Sequence, residues 1–125
     1  MVGFRTGLVA ALLVLLAGCG EKDTEGDRGA AADKESGALA LREKGQSHFE
    51  AACLPCHRPA EGYPGTVALI ASRGAEFADL ARRDDLTRDY IRQVVRMGQG
   101  AMPPYRKADL MAEELDAIAA YLAAE

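Results

Sequence analysis

At 125 residues, the chain is long enough for one small domain and too short for two. Its 15 Lys and Arg against 19 Asp and Glu leave a formal net charge of −4, which excludes the concentrated basic face that nucleic-acid binding requires. With 6% aromatic residues and no Trp, there are few large side chains from which to build a core.

The N-terminus reads Arg5, an apolar run from Leu8 to Leu16, then Ala17-Gly18-Cys19. A basic residue, a short apolar run and small residues before a cut site describe an export signal. The run is well short of the roughly 20 residues that a helical span needs, so it is expected to be cleaved and not kept as an anchor. Leu16-Ala17-Gly18-Cys19 resembles the lipobox of bacterial lipoproteins, in which the Cys becomes the first mature residue and its sulfur takes a diacylglycerol. An ordinary signal with a coincidental Cys is the plainer alternative. The count of 3 cysteines favours the lipid, because Cys53 and Cys56 belong together and leave Cys19 over. Each acyl methylene placed in a membrane contributes about 0.8 kcal/mol, so two chains anchor stably. Gly20, where some inner-membrane lipoproteins carry Asp, does not discriminate between membranes. Residues 1–18 are therefore read as a lipoprotein signal peptide.

Residues 19–40 are read as the lipidated Cys and a flexible acidic tether. From Gly20 to Ala40 there are 3 basic and 6 acidic side chains. The segment is rich in Gly and Ala and has no periodic apolar face. As a random coil it would span roughly 25 Å, enough to let a small domain swing between neighbours.

The remaining segment, 41–125, forms the folded domain, with 11 basic against 13 acidic residues. It opens on a helical stretch leading into Cys53-Leu54-Pro55-Cys56-His57, the C-x-x-C-H pattern of a c-type haem attachment site. The spacing follows from chemistry: two thiols add to two vinyl groups of one haem, and the next residue places an imidazole nitrogen on the iron. A buried haem would also supply the apolar volume that the composition lacks. Three other readings use the same residues. A thioredoxin-like pair needs flanking strands, which the pattern does not show. A structural zinc site needs four ligands, and only His48 is left to help complete one. A disulfide leaves His57 unexplained. Haem is the reading that uses all three residues. His48 lies before the motif on the same helix and is expected to be solvated or to cap.

Further on, Tyr90, Ile91, Val94 and Val95 recur at the spacing of one buried helical face between Thr87 and Met97, and Gly98 terminates it. Gly98-Gln99-Gly100-Ala101-Met102-Pro103-Pro104 then forms a tight loop, with Met102 as the candidate second iron ligand. Met97 shares the face of Tyr90 and Val94 and is assigned to core packing; Met111 is assigned to the boundary of the last helix. That helix has an intact core face of Leu115, Ile118, Ala119 and Leu122. Arg88, Arg92 and Arg96 fall four apart, a basic stripe opposite the apolar face of the middle helix.

From about Leu41 onward the chain resembles class I bacterial cytochrome c: an N-terminal helix into C-x-x-C-H, a middle helix, a Met-Pro loop and a C-terminal helix. The resemblance implies an all-α fold of three to five helices around one covalently bound haem c. It also implies a crossing of the first and last helices through Gly45 and Phe49 against Ile118 and Tyr121. His57 is expected to donate its second ring N–H to a Pro carbonyl, with Pro64 the match and Pro59 the second choice. In this family the exposed haem edge lies beside the Met loop, which makes Arg106 and Lys107 candidate docking residues. The sequence departs from the family at the last helix, where Met111 stands in the place of Ser, Thr or Asp; Asp109 is the candidate cap.

His57 and Met102 together would fill both axial positions of the iron, which suits outer-sphere electron transfer and raises the potential relative to two nitrogen ligands. No convergent acid–base set accompanies them, so no catalytic residue is assigned. The expected function is a membrane-tethered, one-electron carrier on the extracytoplasmic or periplasmic face, between a dehydrogenase and a respiratory acceptor. Its partners would be redox proteins and the membrane, with no nucleic acid and no small-molecule substrate of its own. The alternative is a permanently bound cytochrome subunit of a flavin- or quinone-cofactor dehydrogenase, since residues 65–90 look similar to such cytochromes. A haem-based sensor would require a displaceable Met102.

Overall fold

The computed structural model describes residues 25–124. The signal peptide and Cys19 lie outside the described residues. Five α-helices follow one another: α1 (Glu25–Ala52), α2 (Leu54–His57), α3 (Pro64–Arg73), α4 (Arg88–Met97) and α5 (Ala112–Leu122). Two 3₁₀ turns, Ala75–Phe77 and Leu80–Arg82, lie between α3 and α4. No β-strand is formed among the described residues, and the expected all-α fold is the one observed.

The architecture is set by α1 crossing α5. At the crossing Gly45 is buried, and a Cβ there would overlap the Ala117 carbonyl and come within 2.8 Å of the Tyr121 Cβ. Only a glycine lets the two backbones approach this closely. One turn further, Phe49 meets Tyr121 with ring centroids 5.7 Å apart, tilted by 47°. Arg42 Nη1 donates to the Ala120 carbonyl at 3.0 Å, and His48 Nδ1 lies 3.8 Å from Glu114 Oε1. His48 thus belongs to this crossing.

The core continues through Leu86, Ile91, Val95, Leu110, Leu115, Ile118 and Leu122. Each large apolar side chain buried this way contributes about 1.5–3 kcal/mol. α4 starts under Thr87, whose hydroxyl accepts from the Tyr90 N–H at 3.2 Å, and stops at Gly98, where φ is +74°. α3 is tied back by Thr66, 2% exposed, whose hydroxyl donates to the Arg58 carbonyl at 2.6 Å.

Two local expectations are corrected. The coil foreseen between residues 19 and 40 is helical from Glu25, although residues 30–41 are exposed. Ala, Glu, Lys and Leu favour helix by intrinsic propensity, which needs no apolar face. At the start of α5, Asp109 does not cap the helix. It accepts from the Arg106 N–H at 3.2 Å instead, while Glu114 reaches back to the Met111 N–H at 2.7 Å. That contact is one half of a capping box.

Candidate haem site

The end of α1 and all of α2 hold the two thiols and the imidazole on one turn. The Cys53 N–H donates to the Phe49 carbonyl at 2.8 Å, and the Cys53 carbonyl accepts from Cys56 at 3.0 Å and His57 at 2.8 Å. Pro55 sits in the first turn of α2, where the lost N–H has no helical partner to forgo. Cys53 and Cys56 are free thiols, not a disulfide. Burial, and secondarily Cys56, push the Cys53 thiol up to about 11. Burial pushes the His57 imidazole down, so it is neutral and offers a nitrogen lone pair.

His57 Nδ1 is buried without a hydrogen-bond partner, so the expected bond to the Pro64 or Pro59 carbonyl is not formed. The contact on the ring comes from the corner that opens α3. A Cβ on Gly65 would stand 2.7 Å from His57 Cε1 and 2.8 Å from Nδ1, so only hydrogen fits there. Pro64 borders the same space as His57, whereas Pro59 faces a separate, smaller hollow.

Met102 is brought to this space by its loop. Gln99 and Met102 exchange backbone hydrogen bonds of 3.1 and 3.0 Å. Gly98 and Gly100 take positive φ, +74° and +58°, which makes the turn accessible. The far end of the loop is pinned by the Tyr105 N–H, 2.8 Å from the Val95 carbonyl. Arg96 Nη1 donates to the Tyr105 carbonyl at 3.1 Å. The Tyr105 hydroxyl donates to the Ala52 carbonyl at 3.1 Å, one residue before Cys53. The Met loop and the C-x-x-C-H turn are therefore joined directly by one side chain.

A cavity of about 590 Å³ lies among these elements, bordered by Cys53, Cys56, His57 and Met102. Its apolar wall comes from Phe49 of α1, Leu69 of α3, Ile91 and Val95 of α4, and Ile118 and Leu122 of α5. Such a volume is in the range of cofactor pockets, roughly 300–1,000 Å³. A mostly apolar hollow bordered by two thiols, an imidazole and a thioether fits a large flat apolar group that brings its own metal. Among the described residues, no three His, Cys, Asp or Glu side chains converge to hold a metal ion by themselves, which disfavours the zinc reading.

The rival methionines are elsewhere. Met97 is 71% exposed and Met111 58% exposed: Met97 ends α4 pointing outward and does not pack in the core as expected, while Met111 stands at the boundary before the first turn of α5. Part of the basic stripe on α4 is engaged in local pairing. Arg92 pairs with Asp116 at 2.6 Å and Asp89 at 3.0 Å, and Arg96 is held by Tyr105. Arg106 forms a two-point pair with Asp109, at 2.9 and 3.1 Å, and Lys107 beside it is exposed.

Thr66, Gly65 and Tyr105 were not singled out in the sequence. Tyr105 directly after Pro103-Pro104 carried the best available signal, an aromatic residue in a loop that must face the core.

Residues 40–122 match the family described as cytochrome c oxidase, cbb3-type, subunit III. The chain belongs to this family of c-type cytochrome domains. No curated protein and no solved structure matches it. The cytochrome domain binds one c-type haem covalently and transfers electrons; it is not by itself a catalytic enzyme. Its partners are redox proteins. Among the described residues, no helix is long and apolar enough to cross a membrane.

Proposed function

We propose that the chain is a lipid-anchored, exported electron carrier whose haem is attached through Cys53 and Cys56, with His57 and Met102 as the axial ligands. The observation that carries this is the single apolar cavity bordered by all four residues. When bound, the haem iron supplies one-electron chemistry between its ferric and ferrous forms. Cys53 and Cys56 hold the group in place, and the Pro64–Gly65 corner backs the His57 ring. The Gln99–Met102 turn and the Tyr105 bond to Ala52 keep Met102 on the border of the cavity. A sixth ligand framed this way is poorly suited to displacement, which disfavours the sensor reading.

Cys19 is the proposed lipid site on the extracytoplasmic or periplasmic face. Residues 41–125 are the proposed haem-bearing unit, with Arg106 and Lys107 beside the Met loop as proposed docking residues. A second reading is a permanently bound cytochrome subunit of a flavin- or quinone-cofactor dehydrogenase complex; a family description that names an enzyme subunit lends it support. Acidified acetone tests the attachment. The pigment is expected to stay with the protein, and in Cys53→Ala or Cys56→Ala to be retained less well. Colour partitioning fully into the solvent from wild type would refute the two thioether bonds. Membrane co-purification decides between carrier and subunit: a stoichiometric oxidoreductase partner supports the latter.

A further inference from the structure

Among the described residues, Thr66 is the one buried polar residue, 2% exposed. It follows Pro64 and Gly65 in the first turn of α3. A hydroxyl buried without a partner costs about 1–3 kcal/mol, so its burial calls for a bond. The Thr66 hydroxyl donates to the Arg58 carbonyl at 2.6 Å, and the Ala60 N–H donates to the same carbonyl at 2.7 Å. The Arg58 guanidinium lies 5.5 Å from the centroid of the Tyr63 ring. Three contacts thus close the loop 58–66 on Arg58, the residue directly after His57.

What the closed loop presents to His57 is the backbone of Gly65. A Cβ there would stand 2.7 Å from His57 Cε1, 2.8 Å from Nδ1 and 2.8 Å from the Cys56 carbonyl oxygen. Gly65 therefore lies against both the imidazole and the turn that carries the thiols. Gly65 borders the haem cavity, whereas Thr66 borders the separate, smaller hollow. Any influence of Thr66 on the haem thus passes through Gly65 and His57. Because Nδ1 makes no hydrogen bond, the ring is fixed on this side by contact and not by an acceptor. That contact is only as firm as the loop behind it.

We propose that Thr66 is a positioning residue for His57: its bond to the Arg58 carbonyl holds the Gly65 backbone on the imidazole and keeps acceptors, water included, away from Nδ1. This rests on the haem reading above. Packing then takes the place of the expected bond to a Pro carbonyl. With Nε2 given to the iron, Nδ1 keeps the ring proton, and a hydrogen bond from it would make the imidazole a more basic ligand and favour ferric iron. Shielding Nδ1 holds the potential up. The competing account is that Thr66 only secures the first turn of α3.

The test uses the haem-loaded protein with Thr66→Val, which removes the hydroxyl, Thr66→Ser, which keeps it and removes the methyl, and Gly65→Ala. Readouts are the reduction potential, the proton NMR signals of the His57 ring with the exchange rate of its Nδ1 proton, and the unfolding midpoint. Thr66→Val is expected to move the ring signals, speed the exchange and lower the potential. Thr66→Ser should lower the midpoint and leave the other readouts at their wild-type values. Gly65→Ala, with the Thr66 bond intact, should displace the ring signals. Lower midpoints in both Thr66 variants, with potential and ring signals unmoved, would overturn the proposal in favour of the helix anchor. Equal shifts in Thr66→Ser and Thr66→Val would assign the effect to the methyl and overturn it as well. So would a wild-type Nδ1 proton found bonded to a backbone carbonyl. Should Thr66→Val fail to fold, unmoved ring signals in Gly65→Ala overturn it equally. A wild-type protein without a haem spectrum would instead sink the haem reading itself, a different result from a pigmented protein with unmoved ring signals.

Discussion

Met102 and Met97 are five positions apart, and their environments separate their roles. Met102 is partly buried and packs against the core, while Met97 stands 71% exposed. Substituting Met102 with Ala is expected to convert ferric haem from low spin to a water-ligated or high-spin form, lower its potential and admit cyanide. Met97→Ala should leave the absorption spectrum unchanged. The reverse pattern would transfer the ligand to Met97. Tyr105 shows the limit of reading residues singly. Its place after two prolines was visible, but its hydroxyl finds the Ala52 carbonyl across 53 positions of chain, and no local pattern encodes that pairing.

Among the elements, the α1–α5 crossing is the most exacting. Gly45→Ala would drive a methyl into the Ala117 backbone, and relief requires the helices to separate. The expected loss is about 1–3 kcal/mol, read as a lower denaturant midpoint. Gly37→Ala, on the same helix, meets nothing within 4 Å and should raise helix content, by up to about 1 kcal/mol of local stability. A similar loss at both positions would show that the crossing does not depend on close approach. The crossing residues Gly45, Phe49, Ile118 and Tyr121 were legible through the family resemblance, and α4 and α5 through their apolar spacing. The extension of α1 back to Glu25 was not. A search for periodicity asks for an apolar stripe, and a stretch that is helical by propensity alone has none.

On the scale of the whole molecule, the question is how the domain meets membrane and partner. Cys19→Ser should abolish detergent partitioning of the exported protein while leaving the haem spectrum intact; a wild type that stays in the aqueous phase would remove the lipid from the account. For docking, Arg106 is compensated by Asp109 and Lys107 is exposed beside it. Replacing both with Glu should slow bimolecular electron transfer at low salt and flatten its salt dependence, because exposed charges act within a Debye length of about 8 Å at physiological strength. The potential is to be measured alongside, since a changed driving force imitates a docking defect. An unaltered rate across the salt range would make them ordinary surface charges. The ion pairs of Arg92 already place part of the α4 stripe in that category.

The sequence by itself determined the cofactor class and the helical fold, because covalent haem attachment needs thiols and imidazole at a fixed local spacing and amphipathic helices announce their period. It also singled out Met102, since a Gly-rich loop ending in prolines is a local signal. The tertiary structure alone decided the outward turn of Met97, the backing of His57 by Gly65 and the Tyr105 bridge. Each of these depends on which segments meet in space, and a side chain's neighbours are a property of that meeting and not of any stretch of chain.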